Sequence, residues 1–147
     1  MDFTPPPTLT SLTTYLLSKT GKAARAATAA RLADEGLRMS HMAVLAALGD
    51  FGAHAQRDLG GRLEIDPSDL VKVLDDLAAP GWVERVRDTG DRRRVLVSLT
   101  EEGAAALKRL ALGAAVVQDG ILAPLDAAEQ AQLHALLAKL YDGLDPT

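Results

Sequence analysis

Residues 81–103 read GWVERVRDTGDRRRVLVSLTEEG, and no other stretch of the chain narrows the possible folds as far. Two short runs rich in apolar and β-branched residues, 82–86 and 95–99, flank an eight-residue segment. That segment holds Asp88-Thr89-Gly90-Asp91, a turn-forming run, followed by Arg92, Arg93 and Arg94. Apolar runs of this length on either side of a Gly/Asp turn predict a β-hairpin with a charged tip.

The flanking sequence is helical in its spacing. From Thr8 or Thr10 to about residue 34, Leu9, Leu12, Leu16, Ala23, Ala27 and Ala30 share one face. Alanine dominates its second half, so a partner helix can approach closely. Residues 1–7, with three consecutive prolines, read as a disordered arm. Ser40 is placed to cap a short helix over 41–48 that Gly49 and Gly52 end. Gln56–Leu63 reads as a third helix, with Leu59 and Leu63 turned inward.

The next helix has the clearest boundaries. In Asp66-Pro67-Ser68-Asp69, Asp66 fits the N-cap and Pro67 the first helical position. Asp69 occupies the capping-box place usually taken by Glu or Gln. Leu70, Val73, Leu74 and Leu77 form a buried stripe, and Pro80-Gly81 stops the helix, because a proline disfavours the helical state of Ala79. Beyond the hairpin, Thr100 starts a long helix with Leu107, Leu110, Ala114, Val117 and Ile121 on one face. Pro124 breaks it. Asp126 caps a last helix whose stripe is Leu133, Leu136, Leu137, Leu140 and Leu144.

Two short helices followed by a basic hairpin make the plan of a winged helix-turn-helix, which holds DNA with one helix and one hairpin. The expected fold is therefore mainly α with a small β-hairpin wing, one domain over 1–147. The winged helix-turn-helix spans 40–100, the wing 82–99, and terminal helices occupy 8–34 and 104–144. Alone, those terminal helices leave apolar faces in water. Packing the ends of two chains together covers them, so the chain is expected to form a homodimer.

Composition supports the helical reading: 48% of residues are hydrophobic but only 3% aromatic, and Leu, Ala and Val supply the bulk. The chain has no cysteine, which excludes disulfides, cysteine zinc sites and thiol redox sensing. No apolar run reaches ~18 residues, and the N-terminus lacks the regions of a signal peptide, so no membrane partner is expected and the expected compartment is the cytoplasm. Net charge is −4 but polarised: residues 85–94 carry five arginines against Asp88 and Asp91, while residues 101–147 carry three basic and seven acidic residues. His41, His54 and His134 lie on different segments without a metal-binding spacing, so no metal is expected. With no phosphate loop and no nucleophile–base pair, neither a cofactor nor an enzymatic activity is expected.

Asp91-x-Arg93-x-x-x-Val97-x-Leu99-Thr100, with Gly103 three residues on, resembles the wing motif of the MarR family of bacterial transcriptional regulators. Gln56-Arg57-Asp58-Leu59 and Leu77-x-x-x-Gly81-Trp82-Val83-Glu84-Arg85 resemble the helix-turn-helix of that family, and the order of elements agrees over essentially the whole chain. The resemblance implies a homodimer that binds double-stranded DNA at a pseudo-palindromic operator, as a repressor. It also implies a small effector, anionic or aromatic, in a crevice between the dimerisation and DNA-binding parts.

Particular residues follow from this frame. Arg93 at the hairpin tip is placed to enter a narrow A·T-rich minor groove, with Asp91 holding it by a charge-assisted hydrogen bond. Arg92 and Arg94 are directed to phosphate or to Asp88. At about 100° per residue, Ser68, Lys72 and Asp75 stand opposite the buried stripe, facing the major groove, and Asp69 and Asp76 share one flank. Gln56 and Arg57 lie beside the phosphate backbone. Lys19, Lys22 and Arg25 on the first helix would attract an anionic effector, and His41 would line its crevice. One departure stands out: Lys72 is opposed by Asp66, Asp69, Asp75 and Asp76, whereas the family usually carries basic or neutral residues near Lys72 and Asp76. Either Asp75 accepts a hydrogen bond from a cytosine amino group, or these acids lower DNA affinity. The alternative function is a protein-interaction member of the same fold with weak or no DNA binding.

Overall fold

Proline and hydroxyl side chains set how the chain begins. In the computed structural model, which describes residues 1–144, Pro7 opens a one-turn helix, α1 (Pro7–Thr10), and the chain breaks at Ser11 and Leu12 before α2 (Thr13–Ala33). The hydroxyls of Thr10 and Ser11 donate back to the carbonyls of Pro7 and Thr8, and Leu12 is extended, so the single helix expected here is two. Helix α3 (Met39–Phe51) starts before Ser40, which is therefore not its cap. His41 caps it instead, its Nδ1 accepting the Arg38 backbone N–H at 2.8 Å.

There follow β1 (His54–Ala55), α4 (Gln56–Leu63), α5 (Pro67–Ala78), β2 (Val83–Arg87), β3 (Val95–Leu99), α6 (Glu101–Leu122) and α7 (Ala127–Asp142). Asp66 caps α5 as expected, accepting the Ser68 N–H at 2.9 Å. The reciprocal bond expected of Asp69 does not form among the described residues. At α7 it does: Asp126 accepts the Glu129 N–H, and Glu129 accepts the Asp126 N–H at 3.0 Å. The extra methylene of Glu supplies the reach that Asp69 lacks.

The hairpin strands β2 and β3 pair antiparallel with Val83 opposite Leu99 and Arg87 opposite Val95. The hairpin is joined by a third strand that the sequence does not signal. β1 pairs with the other edge of β3, His54 opposite Val97 and Ala55 opposite Leu96, giving the order β1-β3-β2. Two residues are too few for an alternation to register. The core lies between this small sheet and helices α3, α4 and α5, with Leu45, Leu59, Leu70, Leu74, Leu77 and Val97 fully buried. Each such side chain contributes about 1.5–3 kcal/mol on burial. The architecture is mostly helical with a small antiparallel sheet, a winged helix-turn-helix formed by α4, α5 and the β2–β3 wing.

Two glycines are required by geometry. Gly81 (φ +79°) turns the chain from α5 into β2, and the Trp82 N–H bonds back to the Leu77 carbonyl. Gly103 lies where the start of α6 crosses the wing. A Cβ there would collide with the Trp82 carbonyl oxygen, a backbone atom that has little room to retreat. Thr100 caps α6 on the Gly103 N–H and donates its own hydroxyl to the Gly81 carbonyl, locking the same junction. Gly103→Ala is expected to destabilise the protein by about 1–3 kcal/mol, visible as a lowered thermal midpoint. A midpoint equal to wild type would mean the junction is slack.

Pro124 ends α6 as expected, and α7 leaves it at a bend of 108°. The Gln130 side-chain amide donates to the carbonyls of Leu122 and Leu125 and braces that bend. No residue of α7 is buried. Of its expected stripe, Leu133 is half-buried, while Leu136 and Leu140 are 54% and 55% exposed and Leu137, Tyr141 and Leu144 stand out beside them.

Candidate nucleic-acid interface

The first turn of α4, the start of α5 and the wing tip surround one groove of about 1020 Å³. Gln56, Arg57, Pro67, Asp91, Arg93 and Arg94 all line it. Their meeting has a local cause. Ala55, the residue before α4, is buried and paired with Leu96, so β1 fixes the N-terminus of α4 against the wing strand β3.

The tip is shaped by its own polar groups. Asp88 Oδ1 accepts the Gly90 N–H, Asp91 Oδ1 the Arg93 N–H at 3.0 Å, and the Asp91 carbonyl the Arg94 N–H. Arg87 donates from Nη1 to the Arg92 carbonyl at 2.7 Å. Asp91 therefore holds Arg93 by its backbone amide and not, as expected from the sequence, by its guanidinium. The Arg93 guanidinium is exposed and has no partner among the described residues. Arg94 does not pair with Asp88 through its side chain; its Nη2 lies 3.8 Å from Asp58 on α4, and Arg92 remains exposed.

On α5, Ser68, Val71, Lys72 and Asp75 form the exposed face opposite Leu70, Val73, Leu74 and Leu77. The Ser68 hydroxyl donates to Asp66 Oδ1 at 2.6 Å. That bond, and then the Ser68 N–H, hold the Asp66 carboxyl below the usual carboxylate range. Asp69 and Lys72 are exposed. The two acids whose presence the sequence leaves open both have partners. Asp75 Oδ1 meets Arg85 Nη2 of β2 at 2.7 Å, and Asp76 Oδ2 meets His41 Nε2 at 2.9 Å. Because His41 Nδ1 accepts the Arg38 N–H, the ring proton sits on Nε2 and is donated to Asp76.

His41 is 2% exposed with both ring nitrogens engaged, so it offers nothing to an effector. Lys19, Lys22 and Arg25 line neither the groove at the wing nor the cavity beside α6. They stand exposed on α2 before the stretch, Thr28 to Leu32, that meets α6. The cavity between α2, α3 and α6 holds about 290 Å³ and is lined by Arg31, Glu35, Met42, Arg109 and Gly113 among others. Arg109 pairs with Glu35 at 3.1 Å and lies over the Trp82 ring, and the missing side chain of Gly113 leaves room for the Arg31 guanidinium. Among the described residues no group of three His, Cys, Asp or Glu converges on a metal-sized site.

The model of the MarR family matches residues 37–95, which run from α3 through α4, α5 and β2 to the first residue of β3. The HTH-type transcriptional repressor NicR of Pseudomonas putida is 32% identical over 109 residues, covering 74% of this chain and 69% of that protein. The chain belongs to the MarR family. A mutant of MarR itself from E. coli superposes with a TM-score of 0.78 at 25% identity, covering 96% of this chain and 99% of that one. The same mutant complexed with operator DNA gives 0.66 at 27% identity, covering 85% and 90%. BpsR of Bordetella bronchiseptica, whose DNA binding is described as regulated by 6-hydroxynicotinic acid, gives 0.72 at 27% identity, covering 95% and 100%. The chain's relatives of stated role are transcriptional regulators.

Three residues around the groove and the cavity escape a reading of the sequence. Val71 is 42% exposed on the same side of α5 as Ser68 and Asp75, one position before Lys72. The helical spacing that selects Ser68, Lys72 and Asp75 also selects it, but its apolar character hides it. Arg31 and Arg109 carry no local signal, because only the packing of α2 on α6 brings them together.

Proposed function

We propose that this MarR-family chain is a sequence-specific DNA-binding repressor that acts as a homodimer on a pseudo-palindromic operator. The observation that carries the reading is the groove where Gln56, Arg57, Arg93 and Arg94 meet beside the exposed face of α5. In this reading Ser68, Val71 and Lys72 face the major groove, Val71 offering apolar contact to a thymine methyl. Arg93 enters the minor groove, and Gln56, Arg57, Arg92 and Arg94 meet phosphate and sugar. The exposed leucines of α7 and the uncovered leucines of α1 and α2 support a homodimer through the two chain ends. A small anionic or aromatic effector fits the cavity between Arg31 and Arg109, and the regulation described for BpsR supports that class of ligand.

The competing reading, an interaction module without DNA affinity, rests on the acidic balance of α5. Its support is weaker once the partners of those acids are counted: Asp66 caps the helix, Asp75 is paired with Arg85, and Asp76 is bonded to His41. Fluorescence anisotropy on palindromic fragments from the promoter next to its own coding region tests the proposal. The half-sites should lie about one turn, on the order of 10 bp, apart. With roughly 6–10 phosphate contacts per dimer, log K should fall against log salt with a slope of roughly −5 to −9. No binding to any such fragment at low salt would favour the interaction module.

A further inference from the structure

Asp75 is the acid that a DNA-facing helix tolerates least on electrostatic grounds, yet it stands on the exposed face of α5 beside Lys72. Its carboxylate is engaged by Arg85 at 2.7 Å, with the aspartate side chain 58% exposed and the arginine 29%. An ion pair this open to water adds little to folding stability. Its position is more telling. Between α5 and β2 the backbone reverses through Ala79, Pro80 and Gly81, held by the Gly81 and Trp82 amides on the carbonyls of Ala78 and Leu77. Val83 packs into the core beside the α5 leucines, and two residues further on Arg85 adds the ion pair back to the helix.

We propose that Asp75 serves DNA recognition through Arg85, as a positioning residue that sets the angle of the wing to α5 and reads no base. The inference rests on the reading of α5 as the helix in the major groove. One helical position on, Asp76 is tied through His41 to α3, so α5 is anchored to the body, and the part left to tilt is the outer hairpin beyond the Val97 and Leu96 rungs that β1 joins. From Arg85, β2 runs outward to Arg87, which grips the Arg92 carbonyl, and Asp91 then fixes the Arg93 amide. The tip stands four or five residues beyond Arg85, roughly 15 Å of extended chain. A rotation of about 10° at Arg85 would displace it by roughly 2–3 Å, enough to lift a guanidinium out of a narrow groove. The pair also neutralises the charge that would otherwise repel phosphate.

Wing positioning, plain repulsion and direct base contact predict different responses to substitution. Operator and scrambled duplexes are titrated at one salt concentration with wild type, Asp75→Asn, Arg85→Gln, the double variant and Asp75→Glu, and thermal midpoints are recorded. If the pair positions the wing, Asp75→Asn and Arg85→Gln each lower the operator-to-scrambled ratio by about fivefold per half-site, roughly 25-fold for a dimer. The double variant falls no further than either single one, because both remove the same interaction. Asp75→Glu keeps the charge and the reach, and restores most of the ratio. Midpoints stay within a few degrees of wild type. Tighter binding of both duplexes by Asp75→Asn, with the ratio unchanged, would overturn the proposal in favour of plain repulsion. A ratio lowered by Asp75→Asn but untouched by Arg85→Gln would overturn it in favour of a base contact. A wild-type protein with no preference for operator would overturn the DNA-binding reading itself, and this inference with it.

Discussion

Arg93→Ala is expected to weaken operator binding by about 1–3 kcal/mol per half-site while leaving the fold untouched. The guanidinium makes no bond within the chain among the described residues, and what fixes residue 93 is its backbone amide on Asp91, which alanine retains. Folding therefore loses nothing, whereas the proposed complex loses a cation at the point where the negative potential of the minor groove is focused. Asp91→Ala should show a smaller defect, because it loosens the tip without removing the arginine. Arg92→Ala and Arg94→Ala should weaken operator and scrambled DNA about equally, as phosphate contacts do. Titration of both duplexes with each variant at one salt concentration checks the set. Operator binding by Arg93→Ala equal to wild type would mean that the wing does not read the minor groove.

Replacing Leu136 and Leu140 with glutamate is expected to abolish the proposed dimer, giving monomers or insoluble protein. Each leucine is about half exposed within one chain, and no residue of α7 is fully buried. Covering four such side chains in a dimer is worth roughly 1 kcal/mol apiece on area grounds, and burying four carboxylates in their place costs more than that gain. Loss of the dimer unlinks the two half-sites, so operator affinity should fall to that of a single winged helix. Sedimentation at micromolar concentration separates the outcomes, and wild-type protein that sediments as a monomer would remove the basis for the dimer.

Elements with local chemical signals are legible in the sequence. The Asp/Gly turn and its flanking apolar runs locate the wing. Asp66 before Pro67, Thr100 and Asp126 mark helix starts that the structure keeps. What escapes depends on partners distant in sequence or on competition between two local signals. Ser40 is a good cap by type, but His41 reaches the Arg38 amide and the helix starts earlier. β1 is a strand only because Val97 and Leu96 lie opposite it. The site divides in the same way. The wing arginines and the exposed face of α5 follow from turn chemistry and helical spacing. The partners of Asp75 and Asp76 do not, because Arg85 lies beyond a chain reversal and His41 is 35 residues away. Arg31 and Arg109 face one cavity for the same non-local reason.

Hydroxyl-radical footprinting of a palindromic promoter fragment, with wild type and Arg93→Ala in parallel, tests the central claim most directly. If the groove between α4, α5 and the wing is the DNA-binding face, wild type protects backbone positions symmetrically about the dyad. Two outer minor-groove segments are then protected as well, and Arg93→Ala loses those outer segments while keeping the rest. A footprint without dyad symmetry, or one whose minor-groove segments are unchanged in Arg93→Ala, would contradict the account.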